Sequence, residues 1–166
     1  MAEETLFAER MESGATLSDC ERYRYHLWRR FGEGGTVAFV MLNPSTADAT
    51  ADDPTIRKCI GFAKRWGYGR VDVVNLFAWR ATNPKELPNV LEPVGAKNNS
   101  HIFAVCRCAD LVVFAWGSDK FARQRARQVR ALLANVGTPT KALRLSKDGN
   151  PWHPLYVPYL EPLVSI

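Results

Sequence analysis

Four polar segments of this 166-residue chain carry side chains that could do chemistry. Residues 43–53 gather the amide of Asn43, the hydroxyls of Ser45 and Thr46, and the carboxylates of Asp48, Asp52 and Asp53, with Pro44 stiffening the backbone. Asn75 interrupts the apolar run VDVVNLF. A buried amide needs partners, and its adjacent donor and acceptor match the edge of a nucleobase. Arg80, five residues on, could meet a phosphate. His153, between Trp152 and Pro154, holds an imidazole that titrates near neutrality in a proline-stiffened loop. Lys120, Arg123, Arg127 and Arg130 crowd into one segment that could neutralise phosphates.

Each feature also has a plainer reading. Asn43 and Asp48 could cap turns, and Asp53 is read first as the N-cap of the helix that follows. His153 could pack against backbone, and the cationic segment could be a solvated helix face. Asn43 and His153 are taken as functional.

The elements that would position these groups follow from periodicity. Residues 21–30 alternate bulky and polar side chains, FGEGG turns, and TVAFVML reads as a buried strand, so a hairpin is expected there. TIRKCIGFAKRWG places Ile56, Ile60, Ala63 and Trp66 on one helical face behind Asp53-Pro54. VDVVNLF and DLVVFAW read as buried strands, with helices expected over Asn98 to Cys108 and within SDKFARQRARQVRALLANVG. KALRLS supplies a fourth core strand, and the prolines after Gly149 exclude a regular helix.

Strands separated by helices imply parallel pairing, hence a three-layer α/β/α sandwich with a mainly parallel four-stranded sheet and an N-terminal hairpin. Ligands of such sheets bind beyond the carboxyl ends of the strands. Those ends carry residues 43–48, Asn75 and Arg80, Trp116 and Gly117, and Lys147 to Tyr156 with His153. A shared pocket for Asn43, Asn75 and His153 is therefore expected.

One domain with a core over about residues 20–160 fits the 46% apolar and 23% charged content. No apolar run reaches the roughly 20 residues of a membrane span, and the acidic start MAEETLFAER lacks the features of a leader. A cytoplasmic protein is expected. Cys20, Cys59, Cys106 and Cys108 lack C-x-x-C spacing and are read as structural. The net charge of +5 permits phosphate-bearing partners without requiring them. There is no G-x-S-x-G elbow, glycine-rich dinucleotide fingerprint or P-loop, and no H-x-x-x-H pair.

Taken together, MLNPSTADATADDPTIRKC, VNLFAWRAT, EPVGAKNNS, WGS and LSKDGNPWHPLY resemble the bacterial and phage family designated domain of unknown function 1643, over roughly Cys20 to Tyr159. A second resemblance reaches the uracil-DNA glycosylase superfamily, whose fold is a three-layer α/β sandwich. Its Asn-Pro or Asp-Pro motif after the first core strand is matched here by Asn43-Pro44, and its His-Pro motif after the last by His153-Pro154. Met41-Leu42 and Leu155 depart from the small residues usual beside those motifs. That resemblance implies that Asn43 positions an attacking water, His153 stabilises charge on the departing base, and Asn75 reads the base edge.

The expected function is a glycosylase-like nucleobase, nucleotide or nucleic-acid binding site that either cleaves an N-glycosidic bond, with Asn43, His153 and Asp48 as the catalytic set, or only recognises a base. Pro44, Ser45, Thr46, Asn75, Arg80, Trp116, Gly117, Lys147 and Tyr156 are its expected binding residues. Two alternatives stay open. One is hydrolysis or transfer on a small phosphorylated metabolite, with Asp48, Asp52 or Asp53 holding a divalent metal. The other is a non-catalytic nucleic-acid-binding module using Lys120, Arg123, Arg127 and Arg130. The expected partner is DNA or a nucleotide-like molecule, with no membrane and, outside the metal alternative, no cofactor.

Overall fold

The computed structural model describes residues 11–166. The first ten residues, on which the reading of the acidic start rests, lie outside them. The strands are β1 (Glu12–Leu17), β2 (Arg24–Arg30), β3 (Thr36–Met41), β4 (Arg70–Asn75), β5 (Leu111–Phe114), β6 (Thr140–Ala142) and β7 (Val164–Ser165). The α-helices are α1 (Pro54–Arg65), α2 (Asn98–Cys108) and α3 (Arg123–Leu133). Short 3₁₀ turns cover Pro84–Asn89, Lys120–Ala122 and Pro154–Tyr156. Among the described residues, no helix is long and apolar enough to cross a membrane.

The protein is a mixed α/β structure on one seven-stranded sheet in the order β1-β2-β4-β3-β5-β6-β7. The sheet is therefore wider than the four strands expected. Neighbouring strands from β4 to β6 pair in parallel, while β1, β2 and β7 join antiparallel. Alternate residues of β3 divide between two cores. Val37, Phe39 and Met41 pack with Ile56, Cys59, Phe62 and Ala63 of α1, and Ala38 and Val40 with Ile102, Cys106, Ala126 and Val129 of α2 and α3. Burial on both faces explains the unbroken apolar runs of β3 and β5.

The expected hairpin between residues 21–30 and β3 does not form. β2 pairs with β1 and β4, and β3 lies beyond β4. The 31–35 connection crosses the start of β4 instead, where Phe31 and Gly32 both donate to the Gly69 carbonyl. A Cβ at Gly69 would stand 2.4 Å from the Gly32 oxygen, so this crossing requires glycine.

α1 starts where the Asp53-Pro54 signal places it, with Asp53 accepting from the Ile56 amide at 2.9 Å. α2 covers its expected span, whereas α3 is shorter than its periodic segment because Asp119 opens a separate 3₁₀ turn. All four cysteines are free: Cys59 and Cys106 lie in the core, and Cys20 and Cys108 are exposed.

Candidate active site

The loops after β3, β4, β5 and β6 surround a cavity of about 800 Å³ at the carboxyl ends of the parallel strands. Seven expected site residues line it: Asn43, Ser45, Thr46, Trp116, Gly117, His153 and Tyr156. Its volume lies within the range usual for small-molecule sites.

Asn43 is positioned by its own amide. Its Nδ2 donates to the carbonyls of Pro44 at 2.9 Å and Ala81 at 2.8 Å, while the Ala81 amide returns a bond to Pro44. These contacts stitch the loop after β3 to the loop after β4. Both partners of the amide are carbonyls, so its nitrogen must face them. Oδ1 accepts no bond among the described residues and remains an acceptor for the cavity.

His153 caps the 3₁₀ turn Pro154–Tyr156, its Nδ1 accepting from the Leu155 amide at 3.2 Å. With Nδ1 an acceptor, the neutral ring carries its proton on Nε2 and is a donor there. The loop is held at two further points: Gly117 donates to Pro151, and Trp152, which lies under the Arg144 guanidinium, donates to the Arg144 carbonyl. A bidentate pair with Glu161 fixes Arg144 in turn. The Tyr156 ring, its centroid 5.9 Å from that of His153, is open to solvent, while Trp116 is 3% exposed with Phe114 and the Arg130 guanidinium against its ring.

Burial holds the His153 imidazole below its ordinary pKa, with Asp53 partly offsetting that. As pH falls the unfolded chain is protonated first, so the linkage is level above about pH 6.5. Stability then declines until the lowered folded value is passed. In melting scans over about pH 5 to 8, His153→Gln is expected to flatten the acid limb. His101, lowered mainly by burial and also by His26 and Lys97, titrates in both proteins and drops out of the comparison. Identical limbs would show that His153 carries no such linkage.

Other expected residues lie elsewhere. Pro44 is buried and outside the cavity lining, and Lys147 is exposed away from it. Arg80 also stands outside, donating to the Glu21 carbonyl. Asn75 does not join Asn43 and His153 on the cavity wall. It pairs with Met41 in the sheet at 1% exposure, and neither polar atom of its side-chain amide has a partner among the described residues.

The three aspartates are likewise not brought together. Asp48 accepts from the Thr50 and Ala51 amides, which lower its pKa, and Asp52 pairs with Arg29 at 2.7 Å. Asp53 lines the cavity but spends its oxygens on the Ile56 and Ala47 amides. Among the described residues, no three His, Cys, Asp or Glu side chains gather as a metal site. Asp48 holds a turn and stands outside the cavity lining.

The basic segment splits. Arg123, Arg127 and Arg130 line a second hollow against Asp148, Gly149 and Asn150, with Trp116 shared between it and the main cavity. Lys120 is exposed outside that lining. Arg125 points inward to the Leu76 carbonyl and Asn99.

Sequence reasoning missed Arg24. The β1–β2 register passes over Tyr25, pairing Thr16 with His26 and then Leu17 with Arg24. This irregularity is the β-bulge that brings Arg24 to the cavity, at 2% exposure. Burial pushes its pKa down to about 10 against a partial offset from Asp53. No sequence signal marked it, because Arg24 and Arg29 are five residues apart and simple alternation would put only one of them on the inner face.

Residues 24–155 match the family described as protein of unknown function (DUF1643). The chain belongs to that family. The match runs from Arg24 on one side of the cavity to Leu155 on the other, so it takes in every cavity-lining residue but Tyr156. No match is found among curated proteins. A solved hetero-hexameric glutamate dehydrogenase from Thermus thermophilus, in a Leu-bound form, aligns at 15% identity with a TM-score of 0.39. That alignment covers 77% of this chain and 31% of the other, and likeness at this level carries no argument about the DUF1643 chain.

Proposed function

We propose that this DUF1643 protein binds a nucleobase or nucleotide in the main cavity and hydrolyses its N-glycosidic bond. The carrying observation is complementary chemistry on one cavity: an unspent acceptor at Asn43 Oδ1 and an unspent donor at His153 Nε2. Hydrolysis breaks the bond between the anomeric carbon and the base nitrogen, and its electron pair leaves with the base. Positive charge develops on the sugar and negative charge on the base carbonyl. Asn43 Oδ1 aims a water at the anomeric carbon, and His153 Nε2–H donates to the carbonyl. The new carbon–oxygen bond releases the water's proton to solvent, since an amide does not titrate near neutrality. Tyr156, exposed beside His153, offers a ring face for a base.

The order of the motifs supports a three-layer, uracil-DNA glycosylase-like arrangement as part of this proposal. Asn43-Pro44 follows β3, the first of the parallel strands in the chain, and His153-Pro154 follows β6, the last. The test is chromatographic detection of free base from nucleosides, nucleotides and oligonucleotides containing uracil and altered bases. Release from any of them is expected, and none from all would overturn hydrolysis.

The cationic hollow favours a second reading, nucleic-acid binding without cleavage. Arg123 and Arg127 are exposed on the face that lines it, suiting contact with a few phosphates. Weak binding to oligonucleotides is expected, falling as salt rises. Reversing both charges with Arg123→Glu and Arg127→Glu should weaken it by at least about tenfold. Binding that is absent at low salt, or indifferent to the reversal, would leave α3 a solvated face.

A further inference from the structure

We infer that the β2 corner of the main cavity is a phosphate subsite built on Arg24, which makes a nucleoside 5′-monophosphate the class of ligand the cavity takes. This deepens the base-binding reading and rests on it for the base end alone.

Arg24 carries the inference because it is a buried cation with unspent donors. Its Nη1 donates to the Ala47 carbonyl at 2.9 Å, while its Nε is buried without a partner among the described residues. Among the described residues, no carboxylate lies within ion-pairing distance of this guanidinium. Burying an unpaired charge is costly, so a cation held this way marks a place for an anion. Asp53, the nearest opposing charge, has given its oxygens to two backbone amides. Asn75 and Asn98 also bury polar atoms that have no partner among the described residues, and Asn75 stands where β4 ends, at the same end of the sheet as the start of β2.

The surroundings select phosphate over carboxylate. The hydroxyl-bearing Ser45, Thr46 and Thr55 line the cavity with Arg24, and the first turn of α1 adds the positive end of its dipole. Donors from three elements suit a tetrahedral oxyanion better than a planar one, and the guanidinium fork matches two of its oxygens.

Sheet order then sets the ligand's length. From β2 to β5, Arg24, Asn43 and Trp116 follow one another across the strand ends. Three strand spacings separate β2 from β5, about 14 Å. An anionic end at Arg24 and a base end beside the loops of Trp116, His153 and Tyr156 are thus held apart, with Asn43 between them where a ribose would lie.

Calorimetry on the full chain tests this with the four ribonucleosides, their 5′-monophosphates, ribose 5-phosphate, inorganic phosphate and acetate. One monophosphate is expected to bind at least about tenfold tighter than its nucleoside, with ribose 5-phosphate competing and acetate not. Arg24→Gln should erase that advantage and leave nucleoside affinity in place. Should the substitution unfold the protein, the wild-type ratio decides alone. Equal affinity for nucleoside and monophosphate overturns the phosphate subsite and spares the base site. Ribose 5-phosphate binding as tightly as every monophosphate does the reverse. Competition by acetate as strong as by phosphate overturns the choice of phosphate, and no binding by any of these probes overturns both readings.

Discussion

Asn43→Ala is expected to reduce base release by on the order of 10²–10³-fold while the protein stays folded. The rate effect follows from Oδ1, the acceptor that aims the attacking water in the proposed reaction. The stability effect is separate, because Nδ2 holds the Pro44 and Ala81 carbonyls. Losing both bonds costs on the order of 1–3 kcal/mol, which a domain stable by roughly 5–15 kcal/mol survives. Circular dichroism and a melting curve establish the fold, and release rate per folded molecule reads the chemistry. Asp48→Ala serves as the contrast, since that carboxylate holds a turn outside the cavity lining. An Asn43→Ala protein that is folded and fully active would remove Asn43 from the mechanism. Loss at Asp48 with a requirement for a divalent metal would favour metal-assisted chemistry instead.

Arg29→Met should destabilise the fold by on the order of 3 kcal/mol, since it strips half-buried Asp52 of its partner and leaves four carbonyls without their donor. Arg29 is 1% exposed and its guanidinium reaches five groups on three segments. It pairs with Asp52 and donates to the carbonyls of Gly14, Trp28, Asp48 and Ala51. Methionine fills similar volume and satisfies none of these groups. Arg29→Lys should recover little, because one ammonium cannot reproduce the fork. Since Asp48 to Asp52 lead into the Asp53 cap of α1, loosening them also disturbs the cavity wall at Ser45 and Thr46. Urea unfolding measures the loss, and a change below about 1 kcal/mol would show that the cluster contributes little, as exposed ion pairs do.

Features encoded within a few residues are legible in the amino-acid order alone. α1 is an example, because Asp53, Pro54 and the spacing of Ile56, Ile60 and Ala63 all act within one or two turns. The apolar runs of β3, β4 and β5 likewise announce strands buried on both faces. The placing of Asn43 and His153 at strand ends follows from those elements. β1 and β7 give less signal, since ESGATL and VS lie at the edges of the sheet with little side-chain burial.

Strand pairing is not legible in that way, and the reason is physical. β2 and β3 are joined by five residues, which makes a hairpin the locally sensible reading. The choice of partner depends on β4, more than thirty residues downstream, whose buried backbone needs a strand hydrogen-bonded along each edge.

Side-chain partners divide in the same way. Hydrogen bonds and periodicity of short range fix the helix caps, the alternation of helix and strand and the set of polar loops, so the residues themselves reveal these. Which polar groups are spent and which are free is settled by packing. The fold turns Asp52 to Arg29, 23 positions away, and Asn43 to Ala81, 38 positions away. It also buries Asn75 without a partner and brings Arg24 over a bulge into the cavity. Whether a side chain is free for a ligand depends on what the rest of the chain brings against it, and contacts made across the sheet leave no mark in the neighbouring residues.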